Sequence, residues 1–310
     1  MKRNAIARII IFSLIIIVLL SVLLIGLGAG MFTYQVDYDT DHYNRGGSEI
    51  HAATIQNIEI EWASGSITVE TADTDLISFR EEGSKNSEPM VYRQTGDTLT
   101  IEYQASKIHF GFSVTPSKDL IITVPNNWNC GELTVDAASA DLKVNGLTAD
   151  EVELNMASGN THFTDCNLHE LNLDSASGEV YYSGTLYSMD CDSASGNINA
   201  IFENIPKSID FDGVSAELEL ALPADAGFTV EMEALSGDFS SDFEFTRRNG
   251  QYICGDGACK INVDGVSGDV TIRKHDTSIH HIHDTNCYTP GSTCPDKSST
   301  ASTHHEDAHH

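Results

Sequence analysis

One short motif, Ala-Ser-Gly or a near variant, recurs along this chain at an almost constant interval, and it constrains the fold more than any other feature. Its serine occurs as Ser64, Ser139, Ser158, Ser177, Ser195, Ser215, Ser236 and Ser267. From Ser139 to Ser236 successive copies lie 19, 19, 18, 20 and 21 residues apart. A fixed period near 20 marks a solenoid or array. Six residues before each serine stand Ile58, Leu133, Val152, Leu171, Met189, Ile209, Val230 and Ile261. Four before it stand Ile60, Val135, Leu154, Leu173, Cys191, Phe211, Met232 and Val263. Three and five after it, apolar residues such as Ile67, Leu142, Val180 and Val69, Val144, Phe163 fill most copies. The positions between are mostly polar. This is period-2 alternation on both sides of a small-residue turn.

Each repeat therefore reads as strand, corner, strand and second bend. Leu147, Leu168, Leu186 and Ile205 supply an apolar residue to that second bend. Gly or Ala follows the serine in all copies, as a tight corner reaching positive φ requires of the glycines. A single repeat cannot bury its apolar side; stacked repeats turn each inward column into a continuous ladder. Each buried Val, Leu or Ile contributes roughly 1.5–3 kcal/mol. The expectation is an all-β fold, a right-handed parallel β-solenoid of about 20-residue coils over residues 51–274. An antiparallel sandwich would alternate too, but would not set eight copies of one corner in register. Residues 51–127 hold a single copy and read as an irregular N-terminal cap, with strands at Leu99 to Tyr103 and Leu120 to Val124. The interval of 31 residues between Ser236 and Ser267 points to an insertion near the far end.

Ahead of the repeats, residues 9–31 are an apolar run without charge, long enough for one transmembrane helix. Lys2, Arg3 and Arg8 precede it and no basic residue follows until Arg45, which places a stub of residues 1–8 in the cytoplasm. Residues 32–50 read as a linker, and all that follows is exported. The expected location is the cell membrane, single-pass, with an extracellular C-terminal domain. A cleaved signal peptide is the alternative, since Gly28, Ala29 and Gly30 place small residues at the end of the run.

Charge narrows the partners. Lys and Arg number 17 against 46 Asp and Glu, a formal net charge of −29. Such a chain repels nucleic acid and anionic lipid surfaces and favours basic, cationic or divalent partners. Three residues before each serine lies Glu61, Asp136, Asn155, Asp174, Asp192, Asp212, Glu233 or Asp264. Stacking lines these into an outward acidic stripe. Within it Asp174, Asp192 and Asp212 are the candidates to hold Ca²⁺; a solvated strand face is the alternative. The eight serines are equivalent and lack a paired base and acid, which argues against nucleophilic catalysis. The acids repeat uniformly instead of forming one spaced pair in a cleft, so no enzyme is expected.

The chain has 7 Cys. Cys191 falls in an inward column. Cys254 and Cys259 flank a Gly-Asp-Gly turn that a disulfide would close, and Cys287 and Cys294 form a second candidate pair. Residues 275–310 hold eight of the 13 His and few apolar residues, and read as a disordered tail. There His281, His283 and Cys287 are the candidate ligands for Zn²⁺. A plain polar tail is the alternative.

The series Ala157-Ser158-Gly159, Ala176-Ser177-Gly178 and Ala194-Ser195-Gly196, with the closing segment Val263 to Ile272, resembles the bacterial putative-adhesin family of β-strand-repeat proteins, a domain of unknown function. The resemblance covers residues 55–273. It implies a single-pass or secreted envelope protein and carries over no catalytic residues. The Cys- and His-containing tail departs from the simplest form of the family. The expected function is an envelope scaffold, adhesin-like or binding module, held by the membrane helix and contacting an envelope protein or glycan. The alternatives are an accessory role in cell-envelope stress signalling and divalent-metal binding by the tail.

Overall fold

The computed structural model describes residues 42–83, 88–104 and 117–275, and strands make up most of them. Seven come first: β1 (Asn44–Arg45), β2 (Ser48–His51), β3 (Asn57–Ala72), β4 (Leu76–Gly83), β5 (Val91–Thr95), β6 (Thr98–Glu102) and β7 (Lys118–Pro125). A 3-10 turn at Ala52–Thr54 separates β2 from β3. The regular coils are β8 (Asn129–Asn145), β9 (Thr148–Ser158), β10 (Thr161–Ser177), β11 (Val180–Ser195), β12 (Ile198–Phe202), β13 (Ser208–Ser215) and β14 (Leu218–Pro223). The far end comprises β15 (Phe228–Ser236), β16 (Phe239–Ser241), β17 (Thr246–Arg248), β18 (Gln251–Cys254), β19 (Cys259–Ser267) and β20 (Val270–His275).

Every coil built on a repeat serine has a first arm leading into that serine and a second arm leaving it. First arms pair in parallel with first arms, and second with second. The serines stack: Ser64 on Ser139, Ser139 on Ser158, Ser177 on Ser195, Ser195 on Ser215, and Ser267 on both Ser215 and Ser236. The inward columns are where the alternation puts them. All eight residues six before the serine are at most 1 % exposed. Side chains from both arms meet in one continuous core, in which Tyr182 packs between Phe163 and Phe202 and donates its hydroxyl to the Thr185 carbonyl at 2.6 Å.

At both ends the order of coils in space departs from chain order. The coil of β3 lies between β8 on one side and a coil made of β6 and β7 on the other. At the far end β19 and β20 lie between the coil of β13 and β14 and the coil of β15 and β16. The chain thus builds an outer coil by excursion and keeps its first and last coils one layer in. Beyond these outer coils the pairing turns antiparallel: β4 on β7, β5 on β6, β2 on β4, β1 on β5, and β18 on β15 followed by β17. Short edge strands of two to four residues finish the sheet at β1, β2 and β17. Short edges limit further strand addition.

A buried cation ties the N-terminal cap together. Lys118 is 0 % exposed. Its ammonium donates to Glu81 Oε2 at 3.1 Å and to the carbonyls of Gln104 and Glu88, and lies 4.4 Å from the centre of the Tyr103 ring. Its own carbonyl accepts the indole N–H of Trp62 at 3.0 Å. A buried ammonium needs this saturation, since an unpaired one would lose its hydration without return.

Several sequence expectations need correction. Residues 44–50, read as linker, contain β1 and most of β2, because Ile50 pairs with Ile77 and the edge of β4 needs a partner. His275, placed at the start of the tail, closes β20 opposite Pro223. Ile205 is 38 % exposed instead of filling the second bend. There Lys207 N bonds Tyr187 O, which sets Pro206 inward and turns Ile205 out. Cys254 and Cys259 are free thiols. Both pair with Phe228, from opposite edges of β15, so they stand two strand spacings apart, about 9.6 Å. A disulfide cannot span that distance. The apolar run 9–31, the tail 276–310 and the Cys287–Cys294 pair lie outside the described residues. Among the described residues no helix is long and apolar enough to cross a membrane.

Candidate functional site

The outward side of the first arms is a carboxylate surface, and the parallel register builds it. Three residues before the serines, Glu61 pairs with Asp136, Asp136 with Asn155, Asn155 with Asp174, Asp174 with Asp192, Asp192 with Asp212, Asp212 with Asp264, and Asp264 with Glu233. Glu102 extends the register beyond Glu61 but is buried and accepts the Tyr43 hydroxyl. Two residues earlier a parallel row holds Glu59, Glu153, Asp190, Asp210 and Glu231. The inward columns fix this exposure, because strand side chains alternate strictly between faces.

Amides interrupt the charge in places. Asn155 donates to Asp136 Oδ1 at 2.9 Å and to Glu153 Oε1 at 3.3 Å. Asn172 donates to Glu151 at 3.0 Å and Asn262 to Asp210 at 2.7 Å. The run Asp174, Asp192, Asp212, Asp264 contains no amide. Here the electrostatic cost is concentrated. Burial, then the neighbouring Asp212, Asp174 and Asp190, pushes the Asp192 carboxyl up to about 6. Asp190 is raised by burial and then by Asp210, Asp212 and Asp174. Glu61 is raised by burial and then by Glu102 and Asp136, and Glu151 by burial and then by Glu132 and Glu170.

The sequence-derived metal candidates Asp174, Asp192 and Asp212 are thus brought side by side. They project from one sheet face in the same direction. Among the described residues no set of three His, Cys, Asp or Glu is arranged to hold a metal ion. His281, His283 and Cys287 lie outside the described residues. What the surface offers is a field: a row of like charges about 4.8 Å apart that concentrates cationic groups and weakens with salt.

The raised Asp192 carboxyl has a thermodynamic sign. Its folded value exceeds that of an unfolded Asp near about 3.9, so the folded chain binds the proton more readily between about pH 4 and 6. Stability falls as pH rises through that window, and the full penalty remains at neutral pH. Asp192→Asn is expected to raise the Tm at pH 7 by ~2–4 °C, on the order of 1 kcal/mol once solvent screening is allowed for. It should also flatten the gain in stability between pH 7 and 5, as read by thermal melts across that range. An unchanged Tm at pH 7 would show that the carboxylates relax away from one another.

The repeated serines serve the stack. Ser158 Oγ donates to the Ala138 carbonyl at 3.3 Å and Ser195 Oγ to that of Ala176 at 3.4 Å, each one coil away. A further column, two residues after the serine, went unread in the sequence. Asp141 Oδ1 accepts from Asn160 N, Asn160 Oδ1 from Glu179 N, Asn197 Oδ1 from Glu217 N, and Asp269 Oδ1 from Asp238 N, at 2.9–3.3 Å. Its signal was the recurrence of Asp, Asn or Glu at the repeat period beside the corner. Cys130, Cys166, Cys191 and Cys259 are buried, and burial raises each thiol, Cys130 and Cys259 to about 12 and Cys166 to about 11. They are core residues and not reactive groups.

Residues 55–187 and 181–273 each match the family model described as Toastrack DUF4097. No curated protein matches the chain. Among solved structures, a putative cell adhesion protein from Clostridium sporogenes aligns with TM-score 0.38 and 11% identity, over 75% of this chain and 100% of that one. A putative adhesin from Bacteroides fragilis aligns with TM-score 0.42 and 15% identity, over 74% and 96%. One from Parabacteroides distasonis gives 0.40 and 14%, over 75% and 97%.

Proposed function

From the premise that this chain belongs to the Toastrack DUF4097 family, we propose that it is a non-catalytic, adhesin-like binding module of the cell envelope. In this reading the apolar run 9–31 anchors it in the membrane, the right-handed solenoid stands outside, and the first-arm face meets the partner. One observation carries the reading: the column from Glu61 to Glu233 keeps seven carboxylates in register across eight coils, broken only at Asn155. Such a face favours an extended basic surface over a compact ligand, because its charge is spread along the stack and not focused in a cleft.

The test is retention of cells displaying the full-length chain on an immobilised basic protein. Replacing Asp174, Asp192 and Asp212 together by Asn is expected to lower retention about tenfold, and added salt to lower it for the parent chain. Retention that ignores both changes would sink the reading. Proteinase K on intact cells is the accompanying check, since an external domain is degraded there and an internal one survives.

A further inference from the structure

The edge of the stack at the second bend carries a different surface. A groove of about 430 Å³ runs across successive coils there. Its floor is aliphatic, formed by Ala149, Leu168 and Leu186, each at most 3 % exposed. One wall is a ring stack, His169 on Tyr187, with centroids 4.6 Å apart and planes 20° from parallel. The Lys207 ammonium covers the far side at 5.6 Å from the Tyr187 ring centre. The other wall is neutral and polar: Asn129, Thr148, Asn167, Thr185 and Asn204, one from each of five coils. In a chain of net charge −29, this groove has Asp150 as its sole carboxylate.

Part of the polar wall is engaged and part is open. Asn204 accepts from Leu186 N and donates to Leu186 O, both at 2.9 Å, so it is spent on the bend. Thr185 donates to Asn167 Oδ1, and Asn129 donates to Asp150 Oδ1 at 3.2 Å. The Asn167 amide nitrogen, the Thr148 hydroxyl and the His169 ring nitrogens have no hydrogen-bond partner among the described residues. Donors and acceptors are therefore mixed along the wall, above an apolar floor and beside an exposed ring stack.

This lining discriminates among ligand classes. A phosphorylated or polyanionic ligand needs several cations, and Lys207 is alone beside the groove. An extended peptide binds by adding a strand to an unpaired edge. Here β9, β10 and β11 are bonded on both edges, so no edge is offered. A neutral sugar fits: its hydroxyls pair with amides, hydroxyls and imidazole, and its C–H faces cover the rings and the aliphatic floor. The repeat fits as well. Five coils span four strand spacings, about 19 Å, and one coil spacing is close to the rise per residue of an extended β-1,4-linked pyranose chain.

We propose that the second-bend groove binds a neutral oligosaccharide along the stack, between the His169–Tyr187 rings and the Thr148–Asn167 wall. The proposal deepens the binding-module reading and rests on it, but uses a different surface from the carboxylate face. It is tested by calorimetric titration of the purified full-length chain with the tetrasaccharides of β-1,4-linked N-acetylglucosamine and of β-1,4-linked glucose. Saturable binding of either is expected, unchanged by added salt and by Asp174→Asn with Asp192→Asn. Tyr187→Ala is expected to weaken it about tenfold while leaving the Tm in place, since Tyr187 is 43 % exposed. Asn167→Ala gives a second reading from the opposite wall. No saturable binding of either sugar, or equal binding by the parent and the Tyr187→Ala chain, overturns the proposal. Absence of sugar binding with salt-sensitive retention intact removes the groove and leaves the carboxylate face. The reverse pattern removes the face and leaves the groove.

Discussion

Gly178→Ala is expected to unfold the middle of the stack, costing about 3–5 kcal/mol and lowering the Tm by ~10 °C or more. Gly178 has φ +137°, a region L side chains rarely adopt, and a Cβ there would stand 2.0 Å from the carbonyl oxygen of Gly159 in the adjoining coil. The obstacle is backbone, so no rotamer change relieves it; two coils must separate. The same column contains its own control. Ala140 and Ala216 follow Ser139 and Ser215, and neither has positive φ. Ala216→Gly is therefore expected to cost about 1 kcal/mol or less, the ordinary penalty of a flexible residue. Thermal and urea melts of the two variants check the contrast. Equal, small losses in both would mean that the corner can change conformation at little cost.

Lys118→Met should be nearly as damaging, at about 3–5 kcal/mol, for an electrostatic reason. The methionine fits the volume but leaves the carbonyls of Gln104 and Glu88 without their lysine donor, and the Glu81 carboxylate with the Met90 N–H at 3.0 Å in place of a cation, in a site where Lys118 is 0 % exposed. Glu81 is 16% exposed at its side chain, so it recovers part of its hydration and Glu81→Gln alone should cost less than Lys118→Met. The pair is coupled. Combining Lys118→Met with Glu81→Gln is expected to lose less than the sum of the single losses, by about 1–2 kcal/mol in a double-mutant cycle. Strict additivity would show that the ion pair is incidental and that the carbonyl contacts hold the lysine.

The regular part of this fold was legible because one physical rule repeats. Parity along a strand fixes which residues face in, and the fixed period lays each on its counterpart; Ile58, Leu133 and Val152 could be placed in one column from sequence alone. The same parity gave the acidic stripe. What sequence did not convey was pairing between non-consecutive segments. Nothing local in β6, β7 or β19 states which coil each will lie against, so the exchanged order at both ends was invisible, and with it the separation of Cys254 from Cys259 by the strand of Phe228. The edge strands at 44–51 were missed because they are too short to show a period. The second-bend groove was missed because His169, Tyr187 and Lys207 share a column but no residue type. Reading apolar residues at that bend without its register also misplaced Ile205.

The exchanged coils bear on how the domain carries load. In a solenoid wound in chain order, a pull on either terminus lifts the outermost turn, and successive turns peel away one at a time under low force. Here, once the short edge strands β1 and β2 have come away, the first and last coils are gripped along both edges: β3 between β8 on one side and β6 and β7 on the other, and β20 between β14 and β16. Tension entering at residue 57 or leaving at residue 275 must break two rows of backbone hydrogen bonds before a coil is freed. The winding therefore acts as a hitch, in which each end passes beneath a neighbouring turn and resists unravelling.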